Sequence, residues 1–211
     1  MKRNSGRLIL LLCFLVSIGQ LATVIYLPSM PAIAHDLNAS PTQTELTLTL
    51  YMLAFGFSQL IYGPISDSYG RRTILLGGLA LYALASVASL MSNTLDQLLL
   101  ARLIQGIGCA ATRVIAVSVV RDCFTGRQMG KVMSLVMMIF MAVPIIAPSV
   151  GQAILLLSNW HWIFLFLGIC GALTAIWDSM ALHETHPVEK RRDLSISGLR
   201  QAFIESLAYR R

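Results

Sequence analysis

Apolar runs of about 20 residues recur along the chain, each closed by a short polar or charged stretch, and about 20 residues is the length at which a helix crosses a bilayer. The runs lie at 8–27, 42–63, 73–91, 98–120, 129–155 and 163–182, and they predict six transmembrane helices. After the sixth, residues 183–211 begin basic and then place Ile196, Leu199, Phe203 and Leu207 at helical spacing. That pattern predicts an amphipathic helix lying at the membrane surface. The expected class is therefore an all-α membrane protein: a six-helix unit over 1–182, followed by a basic tail over 183–211.

Composition agrees with this pattern. Of 211 residues, 56% are apolar and 12% charged, and mean hydropathy is +0.70, too little polar surface for a soluble enzyme, a secreted disulfide scaffold or a coiled coil. The net charge of +6 is no nucleic-acid signature, because the basic residues flank apolar segments. Lys2, Arg3 and Arg7 precede the first run, Arg71 and Arg72 lie between the second and third, and Arg121, Arg127 and Lys131 surround the turn between the fourth and fifth. Lys190, Arg191, Arg192, Arg200, Arg210 and Arg211 follow the sixth, and the opposite loops at 28–41, 92–97 and 158–162 hold none. The positive-inside rule then expects both termini in the cytoplasm of a multi-pass inner (plasma) membrane protein.

The first 34 residues imitate a secretory signal, with a basic start, an apolar run and Ala32-Ile33-Ala34. The run is longer than a signal core, and removing it would spoil the charge asymmetry, so it is taken as a span; Pro28 and Pro31 are expected in a loop re-entering water. Cys13, Cys109 and Cys170 fall in spans and Cys123 in a turn, none placed for a disulfide. No CxxC or HExxH pairing exists, the four histidines are scattered, and no GxxxxGK[ST] loop occurs, so no metal and no ATP-driven chemistry are expected.

The chemistry-bearing residues lie in two places. Between the second and third runs stands Gly63-Pro64-Ile65-Ser66-Asp67-Ser68-Tyr69-Gly70-Arg71-Arg72. Gly63 and Pro64 are expected to end one helix, Gly70 to allow the return, and Asp67 to sit near the positive dipole end of the next. The fourth run carries Arg102-Leu103-Ile104-Gln105-Gly106-Ile107-Gly108. A charge inside a span costs about 2.5 kcal/mol or more, so Arg102 is expected to face a cavity or partner, or else to snorkel to the interface. Arg113, close to three turns further, is placed on one stripe with Arg102, Gln105 and Cys109. The two glycines permit close backbone approach.

These strings carry a resemblance. G-x-x-x-D-x-x-G-R-R between spans two and three is similar to the signature loop of the major facilitator superfamily, and R-x-x-Q-G-x-G to its second motif. Tyr26-Leu27-Pro28-Ser29-Met30-Pro31, Arg121-Asp122, Ala147-Pro148-Ser149-Val150-Gly151, Trp160-His161-Trp162-Ile163-Phe164 and Glu184-Thr185 extend it over about residues 1–187. Together they resemble the Bcr/CflA group of drug:proton antiporters. Gly19-Gln20 and Ser58-Gln59-Leu60-Ile61-Tyr62 add a likeness to its multidrug resistance protein D branch.

The resemblance implies a bundle equivalent to the amino-terminal six helices of such a transporter, exchanging lipophilic drug-like substrates for protons, with the proton gradient as energy source and no cofactor. It implies that the Asp67 position caps a helix end of the opposite half and that Arg71 pairs with Asp122 to latch a cytoplasmic gate, the gating set being Gly63, Asp67, Gly70, Arg71, Arg72 and Asp122. It implies bends in span five at Pro144, Pro148 and Gly151. The family has twelve spans, so this chain corresponds to half; the expected partners are lipid, substrate, protons, and a second copy or a missing second half. An inert half without transport is the alternative.

Departures from the family direct attention elsewhere. Val24 stands where many relatives carry Asp, whereas Glu45 occupies a position usually Gln. Glu45 and Arg102, both near the outer ends of their spans, are expected to pair as a proton switch, with a plain interfacial role for Glu45 the alternative. Arg113 is the further coupling candidate, with Asp178 expected to neutralise it or to lie solvated at the interface. Gln20, Tyr26, Tyr51, Phe55 and Gln105 are the substrate-cavity candidates, the aromatics as faces for a lipophilic cation or as packing.

Overall fold

The computed structural model describes residues 5–182, Glu184 and Thr185, and every regular element among them is helical. In chain order these are α1 (Ser5–Val24), a short 3₁₀ turn (Leu27–Ser29), α2 (Met30–Asp36), α3 (Pro41–Tyr69), α4 (Arg71–Leu90), α5 (Leu95–Cys123), α6 (Gly126–Leu157) and α7 (His161–Ala181). Six stretches are long and apolar enough to cross a membrane. The amphipathic helix expected within 183–211 falls outside the described residues.

The helices run past the apolar limits into polar caps. Ser40 caps α3 in a reciprocal box: its hydroxyl accepts from the Gln43 amide at 3.3 Å, while the Gln43 side chain accepts from the Ser40 amide at 2.9 Å, with Pro41 at the first helical position. Thr94 caps α5 by accepting from the Gln97 amide at 3.4 Å. At 1.5 Å per residue, helices of 29 to 32 residues reach about 44–48 Å, enough to cross the hydrocarbon and both headgroup layers.

Two local expectations are corrected. Pro28 and Pro31 lie in the 3₁₀ turn and α2 rather than in an open loop, each at the second helical position, within the first turn, where proline forfeits no needed amide. Gly63 and Pro64 do not end α3, which continues to Tyr69. Proline removes one ladder bond, and the Ser66 and Ser68 hydroxyls occupy the Gly63 and Pro64 carbonyls at 2.8 and 3.2 Å. The return is made by Gly70 at φ 96°, in the region that glycine adopts without strain.

The bundle is organised on α5, the most enclosed span, with α3 and α4 packed on it, α7 on α4, and α6 on α1. Backbone proximity makes this possible. A Cβ at Gly106 would strike the Tyr51 carbonyl of α3 and lie 3.2 Å from the Ala54 methyl. One at Gly108 would lie 2.6 Å from the Tyr82 amide nitrogen and 2.7 Å from the Gly78 carbonyl of α4. Two glycines two residues apart thus admit two different helices. Gly151 of α6 has the same role against the Ile25 carbonyl, just beyond α1. The least enclosed spans are α3 and α6.

Candidate functional site

Two polar centres stand at opposite ends of the bundle. At the arginine-rich end, Gly70 turns the chain so that Arg71 enters α4 with its side chain pointing back over α3. Its guanidinium lies 2.7 Å from Asp67 and 3.3 Å from Asp122 of α5, and donates to the Ser66 hydroxyl at 2.6 Å. Arg71 is nearly buried, whereas Asp67 keeps 41% of its side chain exposed. One side chain therefore ties α3, α4 and α5 together through charge-assisted contacts. A cavity of ≈ 450 Å³ opens beside this node, lined among others by Gln59, Asp67, Arg71, Arg113, Arg121 and Asp122.

The second arginine of the pair turns the other way. Arg72 donates through Nη2 to the Ser179 carbonyl at 2.6 Å, near the end of α7. The Glu184 carboxylate accepts from the backbone amides of Arg71 at 3.0 Å and Arg72 at 3.3 Å. It is Glu184, not Asp67, that supplies the anion at the positive end of α4; Asp67 lies in the last turn of α3, facing Arg71. A carboxylate 113 residues away along the chain leaves no local signal for that role.

At the opposite end, Arg102 is fully buried, not snorkelled. It donates to the Gln105 side-chain oxygen at 2.6 Å and to the Ala22 carbonyl at 3.1 Å. Its guanidinium carbon lies 4.2 Å from the Tyr26 ring centre and 4.3 Å from that of Tyr51, with Phe164 at 5.8 Å. Gln105 passes the network on, donating to the Ser86 hydroxyl at 2.7 Å, and the Tyr26 and Thr47 hydroxyls lie 3.3 Å apart. The cation is held by neutral dipoles and ring faces.

The expected Glu45–Arg102 pair is corrected on this geometry. Glu45 is exposed on α3 and belongs to neither of the arginine–carboxylate pairs, Arg71–Asp67 and Arg71–Asp122. Glu45 and Arg102 point to different surroundings because α3 turns Thr44 and Thr47, not residue 45, toward the interior. Tyr26, Tyr51 and Gln105 are fully buried around Arg102, so the cation on the tyrosine faces is the protein's own. Phe55 stacks on Tyr51 with ring centres 6.1 Å apart, half-buried, as is Gln20.

Arg113, about three turns along α5 from Arg102, belongs to the arginine-rich centre and not to the Arg102 network. Its guanidinium lies over the Phe140 ring of α6 at 4.8 Å and borders the cavity beside the Arg71 node. Nor does Asp178 neutralise it or lie solvated: Asp178 is fully buried, with neither carboxylate oxygen hydrogen-bonded. Pro144, Pro148 and Gly151 all lie inside the unbroken α6. Residue types alone did not mark Ser66, Ser86, Ser179 or the Ala22 carbonyl, whose roles depend on neighbours brought in by the fold.

The Major Facilitator Superfamily profile matches residues 11–210. An MFS-type transporter of Bacillus subtilis, YdgK, is 43% identical over 88% of this chain and 47% of its own length. The multidrug resistance protein D of Escherichia coli is 34% identical over 96% of this chain and 52% of its own, and a bicyclomycin resistance protein homolog of Haemophilus influenzae 35% over 90% and 50%. The chain spans about half the length of the curated relatives it matches. Among solved structures, the human organic anion transporter TETRAN superposes with a TM-score of 0.75 at 18% identity, over 93% of this chain and 52% of that one, a likeness of fold.

Proposed function

The chain belongs to the major facilitator superfamily, and from that premise we propose that it forms one six-helix half of a proton-coupled exporter of lipophilic drug-like molecules. The observation that carries the proposal is the Arg71 node: a guanidinium bridging Asp67 and Asp122 at the arginine-rich end, where a gate must open and close. Contacts of this kind suit a latch, because they are short, directional and broken together when α3 and α5 move apart. On this reading the arginine-rich end is the cytoplasmic one, by the charge bias of the loops, with both termini on the cytoplasmic side of a bacterial inner membrane.

A second six-helix unit completes the cavity, either another copy of this chain or a separate half. It docks over α3 and α6, the least enclosed spans, with the half-exposed Asp67 at its edge. Protons supply the energy and no cofactor is required. The two halves rock about a site near the midplane. Arg102, a fixed cation among neutral groups, keeps the interior selective for the charge state of whatever enters from the opposite end.

Everted membrane vesicles test this. On expression of the chain, alone and with the second half of a relative, a fluorescent lipophilic cation is expected to accumulate inside, to be released when a protonophore collapses the gradient, and to be lost in Arg71→Ala but not in Lys131→Ala. Gradient-insensitive behaviour in both preparations overturns the reading. Accumulation only with the added half favours the inert-alone alternative.

A further inference from the structure

Asp178 takes no part in the Arg71 latch or the Arg102 network, yet it is an acidic group enclosed in the bundle. It is fully buried, and both of its carboxylate oxygens lack a hydrogen-bond partner. The α4–α7 register locates it. Gly168 faces Ala83 and Ser86, Gly171 faces Tyr82 and Ala83, and the Ser179 carbonyl meets Arg72. The helices are antiparallel, so Asp178 lies opposite the turn from Arg72 to Leu75.

Arg72 contributes a second unsatisfied group to that seam. Its Nε is buried without a partner, while its Nη2 holds the carbonyl of Ser179, the residue next to Asp178. The elements packed against α7 carry Arg71, Arg72 and Tyr82 on α4, Arg7 and Cys13 on α1, and Arg127 and Lys131 on α6; Glu184 lies just beyond the helix. Arg71 is committed to Asp67 and Asp122. None of these cations lies within ion-pair distance of Asp178 among the described residues.

We infer that Asp178 is a proton-binding site within the α4–α7 seam, and that its charge state selects the partner of Arg72. With the proton bound, the carboxyl is neutral and Arg72 remains on the Ser179 carbonyl. When the proton leaves to water at the arginine-rich end, a buried carboxylate needs a counter-charge, and the guanidinium one residue away along α7 is drawn from Ser179 onto Asp178. No other bond forms or breaks. Because Arg72 follows Arg71 directly, and Glu184 holds both backbone amides, this rearrangement reorients the start of α4 and with it the latch. A proton is thereby coupled to the gate without a carboxylate in span one, and the inference does not depend on which molecule is exported.

Infrared titration of the whole chain in lipid vesicles tests it without a substrate. A carboxylic C=O band is expected to vanish as pH rises and to be missing from Asp178→Asn. Arg72→Gln is expected to move its midpoint by at least one pH unit, about tenfold in proton affinity, whereas Lys131→Gln leaves it in place. Hydrogen exchange of the amides at 71–75, corrected for intrinsic rates, should depend on pH in the wild type and not in Asp178→Asn. A spectrum indifferent to Asp178→Asn, or a midpoint indifferent to Arg72→Gln, overturns the inference. If Asp178→Asn does not insert, Asp178→Glu must shift the band, and an unmoved band is equally decisive against it.

Discussion

Gly77 and Gly78 are adjacent on α4, share one helical propensity, and differ in what lies beyond them. A methyl on Gly77 meets nothing within 4 Å, while one on Gly78 would run into the Ala111 methyl of α5 and lie 2.9 Å from the Gly108 carbonyl. Replacing either by alanine gains up to about 1 kcal/mol of helix propensity, so that contribution cancels between the two variants. What remains is the packing cost at Gly78. Overpacking costs typically about 1–3 kcal/mol, and the upper end applies because the obstacles are a methyl on a neighbouring helix and a backbone carbonyl, neither of which can rotate away. A difference of about 3 kcal/mol corresponds to roughly 6–12 °C in unfolding midpoint for a chain of this size. The assay is thermal unfolding of purified Gly77→Ala and Gly78→Ala in the same detergent, followed by circular dichroism and loss of the monodisperse peak. Gly77→Ala is expected at or above the wild type and Gly78→Ala well below it. Equal midpoints would refute the claim that α4 and α5 meet backbone to backbone.

Two smaller perturbations probe the end opposite the arginine-rich one. Arg102→Lys is expected to lower stability by about 2 kcal/mol in detergent denaturation, since a point ammonium cannot serve Gln105 and the Ala22 carbonyl while lying between two rings. The Trp160 indole N–H, almost wholly buried, donates to Asp36 at 2.9 Å. Asp36→Ala, which strands that donor, should cost about 1–3 kcal/mol in the same measurement, and Asp36→Asn, which keeps an acceptor oxygen, much less.

What could be read from the sequence follows from what the membrane imposes. Lipid offers no partner for backbone polar groups, so a span declares itself by length and apolarity. The helix limits differ by a few residues because caps such as Ser40 and Thr94 lie in polar flanks that hydropathy does not see. The string from Gly63 to Arg72 was legible through its spacing, although it is helical on both sides of Gly70, and so was the Arg71–Asp122 contact that the resemblance implied. The Glu45–Arg102 pair was not, because helix rotation decides which of two neighbouring residues turns inward, and an arginine need not find a carboxylate when a carbonyl, an amide and two rings surround it. Nor was the burial of Asp178, since a single acidic residue near a span end looks the same whether it meets headgroups or a packed seam.

The paired arginines carry the most consequential distinction. Arg71 and Arg72 count equally in any charge rule, yet one side chain closes on α3 and α5 and the other on α7. Both backbone amides meet a single carboxylate, Glu184, so the two contacts share one rigid origin. Movement of α7 against α4 therefore cannot leave the Arg71 node undisturbed, and opening of the node strains the seam that holds Asp178. If the proposed latch holds, an Arg72 variant should affect gating although Arg72 touches neither acidic residue of the node, whereas variants of Arg127 and Lys131, exposed in the first turns of α6, should not.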